Sequence, residues 1–177
     1  IFYDIDPYLV RTSDGEVYLI ITSHYDGDTK GVHLYNISMD GVEKISNTYD
    51  SSIDYIYLDT IVMNTKIDRL GTFFATRAYV IGSEGFEPID ARYDYNNGED
   101  VENRRYAVVK KPVKVKLMQG DKFVETELDE GTVLYPANTD NESVIGFYLE
   151  DGTYGELNFT MSPDRITMLI DGEPDYE

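Results

Sequence analysis

The sequence predicts an all-β protein built from antiparallel strands, and three observations carry that prediction. The chain holds 16 Tyr and 7 Phe but no Trp, alongside many Val, Ile and Thr, the residue types that fit half-buried pleated surfaces. Several runs alternate apolar and polar residues with period two, the repeat of a strand. Asp-Gly, Glu-Gly and Gly-Asp pairs punctuate those runs, and no long segment carries apolar residues at helical spacing.

Composition bounds the class. At 177 residues the chain can form one large domain or two small ones, with a sizeable core. No apolar run approaches the roughly 20 residues that a membrane helix needs. There are no cysteines, which removes disulfides, thiolate metal ligands and a cysteine nucleophile together. The net charge of −19 disfavours nucleic acid as a partner, because phosphate binding needs a basic face. The chain begins at Ile1 without Met and shows no signal peptide, so we read it as a mature or trimmed piece.

Taken in order, residues 8–10 are extended. Ser13-Asp14-Gly15-Glu16 then turns into residues 17–23, since Asp-Gly between β-rich runs is the strongest short hairpin signal. After a polar loop at 24–31, residues 32–37 read as a strand. A second Asp-Gly at Asp40-Gly41 leads into a short strand at 43–45. Residues 54–64 read as one partly buried strand, with a helix over 51–70 as the weaker alternative, and 66–71 as a turn or a single helical turn. Residues 72–81 form a long strand and 86–91 a further one. Residues 92–103 are almost wholly polar and read as a linker and domain boundary.

Beyond that point the charge reverses. Seven Lys or Arg fall within residues 104–122 against one acid, Asp121. Within VKVKL at 113–117, period two places the valines and Leu117 on one face and Lys114 and Lys116 on the other. Gln119-Gly120-Asp121 turns the chain into FVETEL at 123–128. Residues 132–135 form a strand stopped by Pro136, followed by a polar loop at 138–141. Residues 143–149 then pair with 154–159, and a last strand at 165–170 closes the fold. Five strands of about six residues with regular turns suit a small barrel, and closure removes exposed edges.

From about residue 113 to 159 the order of features resembles bacterial SH3-like domains. The residues that carry the likeness are VKVKL, EGTVLYP and VIGFYLEDGTYGEL, with Tyr154-Gly155 where such domains often place a Trp. The resemblance implies a small SH3-like barrel over about 104–172. Residues 1–91 more distantly resemble β-propeller blades or another β-meander, through SDGEVYLI and GVHLYNISMDG. The organisation expected is an antiparallel β-meander or sandwich over 1–103 followed by an SH3-like barrel with an acidic tail over 104–177.

Several constellations could carry chemistry. Asp26, Asp28 and Gly31, and separately Asp94, Asn96, Gly98, Asp100 and Glu102, space oxygen ligands around glycine as calcium loops do. The second run lacks the fixed glycine and terminal Glu of an EF-hand loop, and both runs read as solvated acidic loops, so no metal and no cofactor is assigned. His24 and His33 are the only histidines. Neither accompanies a nucleophile-elbow pattern, and a structural or surface role is the reading. Acid pairs such as Glu125 with Glu127 or Asp54 with Asp59 arise easily among 34 acids, so they point weakly to glycosidase chemistry. The basic strand could meet an anion, or its lysines could guard a sheet edge. Tyrosines could line a sugar or peptide groove, since each offers an apolar ring with a polar tip.

The reading is a non-catalytic binding module of an exported, extracytoplasmic bacterial protein that meets cell-envelope glycan polymer or a peptide partner. Its ligand-binding residues are Tyr135, Asn138, Tyr148, Tyr154, Lys114 and Lys116. The alternative is a glycan-acting hydrolase with a carboxylate pair between the two parts.

Overall fold

The computed structural model describes residues 4–24, 30–70, 72–95, 105–164 and 167–174. Among them every regular element is a strand and the pairings are antiparallel, so the all-β class holds. No described helix is long and apolar enough to cross a membrane. The chain divides into two compact units, residues 1–66 with 76–91 and residues 67–75 with 92–177.

The first unit opens on a four-stranded meander: β1 (Asp4–Arg11), β2 (Val17–His24), β3 (Lys30–Ser38) and β4 (Gly41–Tyr49), each paired with the next. The first Asp-Gly does not form a two-residue turn. Arg11 pairs with Val17, leaving residues 12–16 as the connection. The Thr12 hydroxyl donates to Asp14 and the Thr12 N–H donates to the Glu16 carbonyl, which stabilises the wider loop. At the second Asp-Gly, Ser38 pairs with Gly41, so Met39-Asp40 makes the two-residue turn and Gly41 starts the strand.

Residues 54–64, read from sequence as one strand, fold as a hairpin. β5 (Ser51–Tyr57) and β6 (Thr60–Asp68) pair with Tyr57 opposite Thr60. The turn falls on Leu58, which takes a φ of +56°. Leucine rarely adopts that conformation, so no turn residue advertised the break. β7 (Thr72–Gly82) and β8 (Gly85–Pro88) continue this second sheet. Val10, Ile20, Val32 and Leu34 of the meander share one core with Ile61, Met63 and Tyr79. The meander is therefore one layer of a sandwich.

The second unit contains β9 (Tyr93–Tyr95), β10 (Ala107–Val108), β11 (Val113–Gln119), β12 (Lys122–Leu128), β13 (Val133–Thr139), β14 (Val144–Tyr148) and β15 (Tyr154–Asn158). Their order is β12-β11-β15-β14-β13-β9, and β10 also pairs with β13. The first part of the predicted linker is thus a strand, with Tyr95 buried against Phe73 at 5.3 Å; its ring outweighs the polar neighbours. Residues 96–104 lie outside the described residues.

Pro136 does not stop its strand. It pairs with Phe147, and the register shifts between Pro136 and Asn138. A bulge tolerates the missing N–H, so β13 runs on to Thr139 and the polar loop shrinks to the few residues after it. The predicted 143–149 and 154–159 hairpin is present, with Val144 opposite Asn158 and Tyr148 opposite Tyr154. The last strand does not join this sheet. β17 (Met168–Ile170) pairs with β16 (Thr160–Met161) and β18 (Glu173–Pro174) in a separate small sheet. Among the described residues β12 pairs with β11 alone, and no closed barrel is formed.

Alternation decides which side is buried. Val113, Val115, Leu117, Leu128, Leu134, Phe147 and Leu157 point inward as one cluster, while Ile67, Phe73, Tyr95, Ile145, Phe159 and Met168 form another. Burying Phe147 completely contributes about 2–3 kcal/mol.

Candidate functional site

The face of the β12-β11-β15-β14-β13-β9 sheet opposite that core collects all six residues singled out from the sequence. The cause is register. Tyr135 pairs with Tyr148, and Tyr148 pairs with Tyr154. Since Phe147 and Gly155 turn inward, their neighbours turn outward. The Tyr148 and Tyr154 rings meet edge to face at 5.4 Å, and Phe123 lies 6.2 Å from Tyr154. At the other end Tyr106 meets Tyr135 at 6.5 Å. A row of aromatic rings therefore crosses the sheet, with Tyr106, Phe123 and Tyr148 all exposed.

A polar row runs beside it. Glu125 pairs with Lys116, Lys116 with Glu156, Glu156 with Gly146, Gly146 with Asn138, and Asn138 with Asp94. Arg92 ties its middle together. One guanidinium nitrogen donates to Asn138 Oδ1 at 2.9 Å and to the Tyr154 hydroxyl at 3.1 Å, and the other meets Glu156 Oε1 at 2.8 Å. The Tyr154 hydroxyl also donates to Asn138 Oδ1 at 3.3 Å. Burial works against the Arg92 charge, but Glu156 and Tyr154 more than offset it and raise its pKa. Gly146 makes the room: a Cβ there would meet the Tyr154 hydroxyl at 2.3 Å and Asn138 Oδ1 at 2.5 Å.

Lys114 and Lys116 are not a free cationic stripe. Lys114 lies opposite Glu127, and Lys116 lies opposite both Glu125 and Glu156. Such opposed charges support strand pairing. Nor do these lysines guard an edge, because β11 has partners on both sides and the edge is β12. Glu125 and Glu127 are neighbours on one strand face beside those lysines, which is not a pair facing across a cleft.

Arg92, Tyr106 and Phe123 were missed from sequence. The only available signal was alternation: Phe123 shares its strand face with Glu125, and Tyr106 precedes β10. Nothing local announced Arg92, which reaches residues 46 to 64 positions away.

The other candidates fall elsewhere. His33 Nε2 lies 2.9 Å from the Ser23 hydroxyl, a contact the sequence did not reveal. Ser23 is 1% exposed and also reaches the Gly31 carbonyl at 3.4 Å, so the pair is part of the packing. Burial lowers the His33 pKa, and Lys44 adds to the effect. His24 approaches Asp6 at 3.9 Å. Asp26, Asp28, Asn96, Gly98, Asp100 and Glu102 lie outside the described residues, while Gly31 and Asp94 sit in strands. Among the described residues no group of three or more His, Asp or Glu could hold a metal ion.

The carboxylates with displaced pKa values all move down. Burial would push Asp140 up, but the Ser143 hydroxyl and the N–H groups of 142–144 hold it at about 2. Asp14 and Asp151 are lowered by hydrogen bonds within their turns, and Glu173 by Lys111. These acids organise turns and ion pairs. A cleft of about 670 Å³ opens on the inward side of the same unit, floored by Val109, Val113, Leu134 and Leu157. Searches of protein families, curated proteins and solved structures find no match to this chain.

Proposed function

We propose that the second unit is a non-catalytic binding module that takes an extended, uncharged glycan of the bacterial cell envelope on its outer sheet face, within an exported protein. The observation that supports this most directly is the aromatic row lying in register beside a polar row. Sugar rings present apolar C–H faces and hydroxyl edges. Tyr and Phe rings suit the faces, and Asn138, Glu156, Lys116 and Arg92 suit the edges. The face carries both charge signs, and the net charge of −19 repels anionic polymers. The SH3-like resemblance belongs to this proposal: β11 to β15 are five antiparallel strands of five to seven residues.

A pull-down of the protein on purified cell wall tests the reading. The wild type is retained and soluble glycan fragments release it. Tyr148→Ala, at a 47% exposed position, weakens retention about tenfold, the equivalent of about 1.4 kcal/mol. No retention of the wild type, or equal retention of the variant, sinks the proposal. A peptide is the second reading, because β12 is an edge with Phe123 and Val124 exposed and an extended chain could add there. In that case Tyr148→Ala has no effect and Val124→Pro abolishes binding.

A further inference from the structure

The meander β1–β4 turns one side to the core of the first unit, through Val10, Ile20, Val32 and Leu34. Its other side is apolar as well. Leu9 lies opposite Leu19 and Leu19 opposite Tyr35, Pro7 lies opposite Ile21, and Ile37 lies opposite Val42. Alternation turns these residues away from the core, and none of them belongs to its packing. Leu9 is 71% and Val42 65% exposed on the two outer strands, and Leu19, Ile21, Tyr35 and Ile37 between them are partly exposed. Arg11 and Lys44 lie on this side of the strands. Among the described residues no Asp or Glu of these strands does, although the chain carries 34. Both outer edges of the sheet are blunted against edge-to-edge pairing. Pro7 removes a donor from β1, and the register shift at Leu34 and Tyr35 leaves Ile45 as an extra residue in β4.

We infer that this face is the interface of a two-fold dimer, with the meander of a second copy of this chain packed on it as the facing layer. The assignment is independent of the glycan reading of the second unit. Four strands about 4.8 Å apart and about eight residues long, at about 3.3 Å each, span roughly 500 Å² of flat sheet before side-chain relief is added. Two such faces together remove roughly 1,000 Å² or more from water, the area a specific interface needs. Homodimer interfaces are apolar and depleted of charge at their centre, which is the make-up of this side. Sheets of equal twist pack face to face in alignment, and a closed pair forms where one patch meets its own copy. Keeping carboxylates off the face lets two chains of net charge −19 approach there. An anionic membrane is the competing occupant: it attracts Arg11 and Lys44 but repels the rest of the chain.

Sedimentation velocity on the full chain across a concentration series tests the assignment. The wild type sediments as a dimer, and added sodium chloride strengthens the association by screening the repulsion between two acidic chains. Leu9→Glu and Val42→Glu, both at well-exposed positions, each weaken the dimer about tenfold, while circular dichroism shows both variants folded. Tyr148→Ala, in the second unit, stays dimeric. In a second arm, flotation with vesicles of phosphatidylglycerol and phosphatidylcholine leaves the wild type unbound. A wild type that is monomeric at every concentration, a dimer that Leu9→Glu and Val42→Glu leave intact, a dimer that salt dissociates, or vesicle binding that Leu9→Glu abolishes overturns the assignment.

Discussion

Gly155→Ala is the sharpest probe of the second unit's core. Gly155 is the second residue of β15 and does not have a left-handed φ, so alanine meets no backbone strain there. The obstacle is space. A Cβ would sit 2.6 Å from Phe147 Cζ, 2.8 Å from Phe147 Cε2 and 2.7 Å from Leu117 Cδ2. Phe147 is fully buried and Leu117 is 9% exposed, so neither side chain can swing into solvent. Overpacking of this kind costs about 1–3 kcal/mol. Replacing glycine narrows the unfolded ensemble and returns about 0.4–1 kcal/mol, for a net loss of about 1–2 kcal/mol. Urea unfolding followed by circular dichroism reads the loss as a lower midpoint at unchanged slope. Phe147→Leu in the same background removes the ring atoms in conflict, so the two changes together cost less than their sum. A midpoint at or above wild type for Gly155→Ala, or strict additivity with Phe147→Leu, refutes the packing argument.

Three further outcomes follow from the described contacts. Thr22 is 3% exposed and its buried hydroxyl has no hydrogen-bond partner, so Thr22→Val stabilises by about 1 kcal/mol in the same urea assay; a loss would show that the hydroxyl is satisfied. Because the folded pKa of His33 lies below its ordinary value, the unfolded chain binds the proton more readily, and stability is full above about pH 6.5 and falls as the pH drops through the folded pKa. His33→Gln flattens that dependence between pH 7 and 5, and an unchanged melting profile would contradict it. Asp140 is held at about 2 by its turn, so its contribution is present above the unfolded pKa near 3.9 and disappears as the pH falls toward 2. Asp140→Ala therefore lowers stability by about 2 kcal/mol at pH 7 and matches wild type near pH 2; a constant gap across that range would rule out the charge as the cause.

How much of this was legible in the sequence can be judged from particular residues. Period-two alternation alone placed Val113, Val115 and Leu117 on one face with the lysines on the other, because side-chain direction in a strand is local. Asp151-Gly152 likewise marked the hairpin between residues 143–149 and 154–159, which the structure contains with Tyr148 opposite Tyr154. The break at Leu58 was illegible, since its positive φ is held without a residue that favours it. Pro136 misled, because a proline stops a strand only where the ladder needs its N–H, and a bulge removed that need.

Local geometry and composition were enough for the all-β class, most strands, the outward face of β11 and the exclusion of thiol chemistry. Tertiary structure alone decided the neighbours. It set β12-β11-β15-β14-β13-β9 side by side, which aligned Tyr135, Tyr148 and Tyr154 into a row and brought Arg92 to Asn138 and Glu156. It also put acids opposite Lys114 and Lys116 and sent the last strand into a separate sheet. The physical reason is that alternation specifies the face a residue occupies, whereas the residue beside it on the next strand depends on register between distant segments.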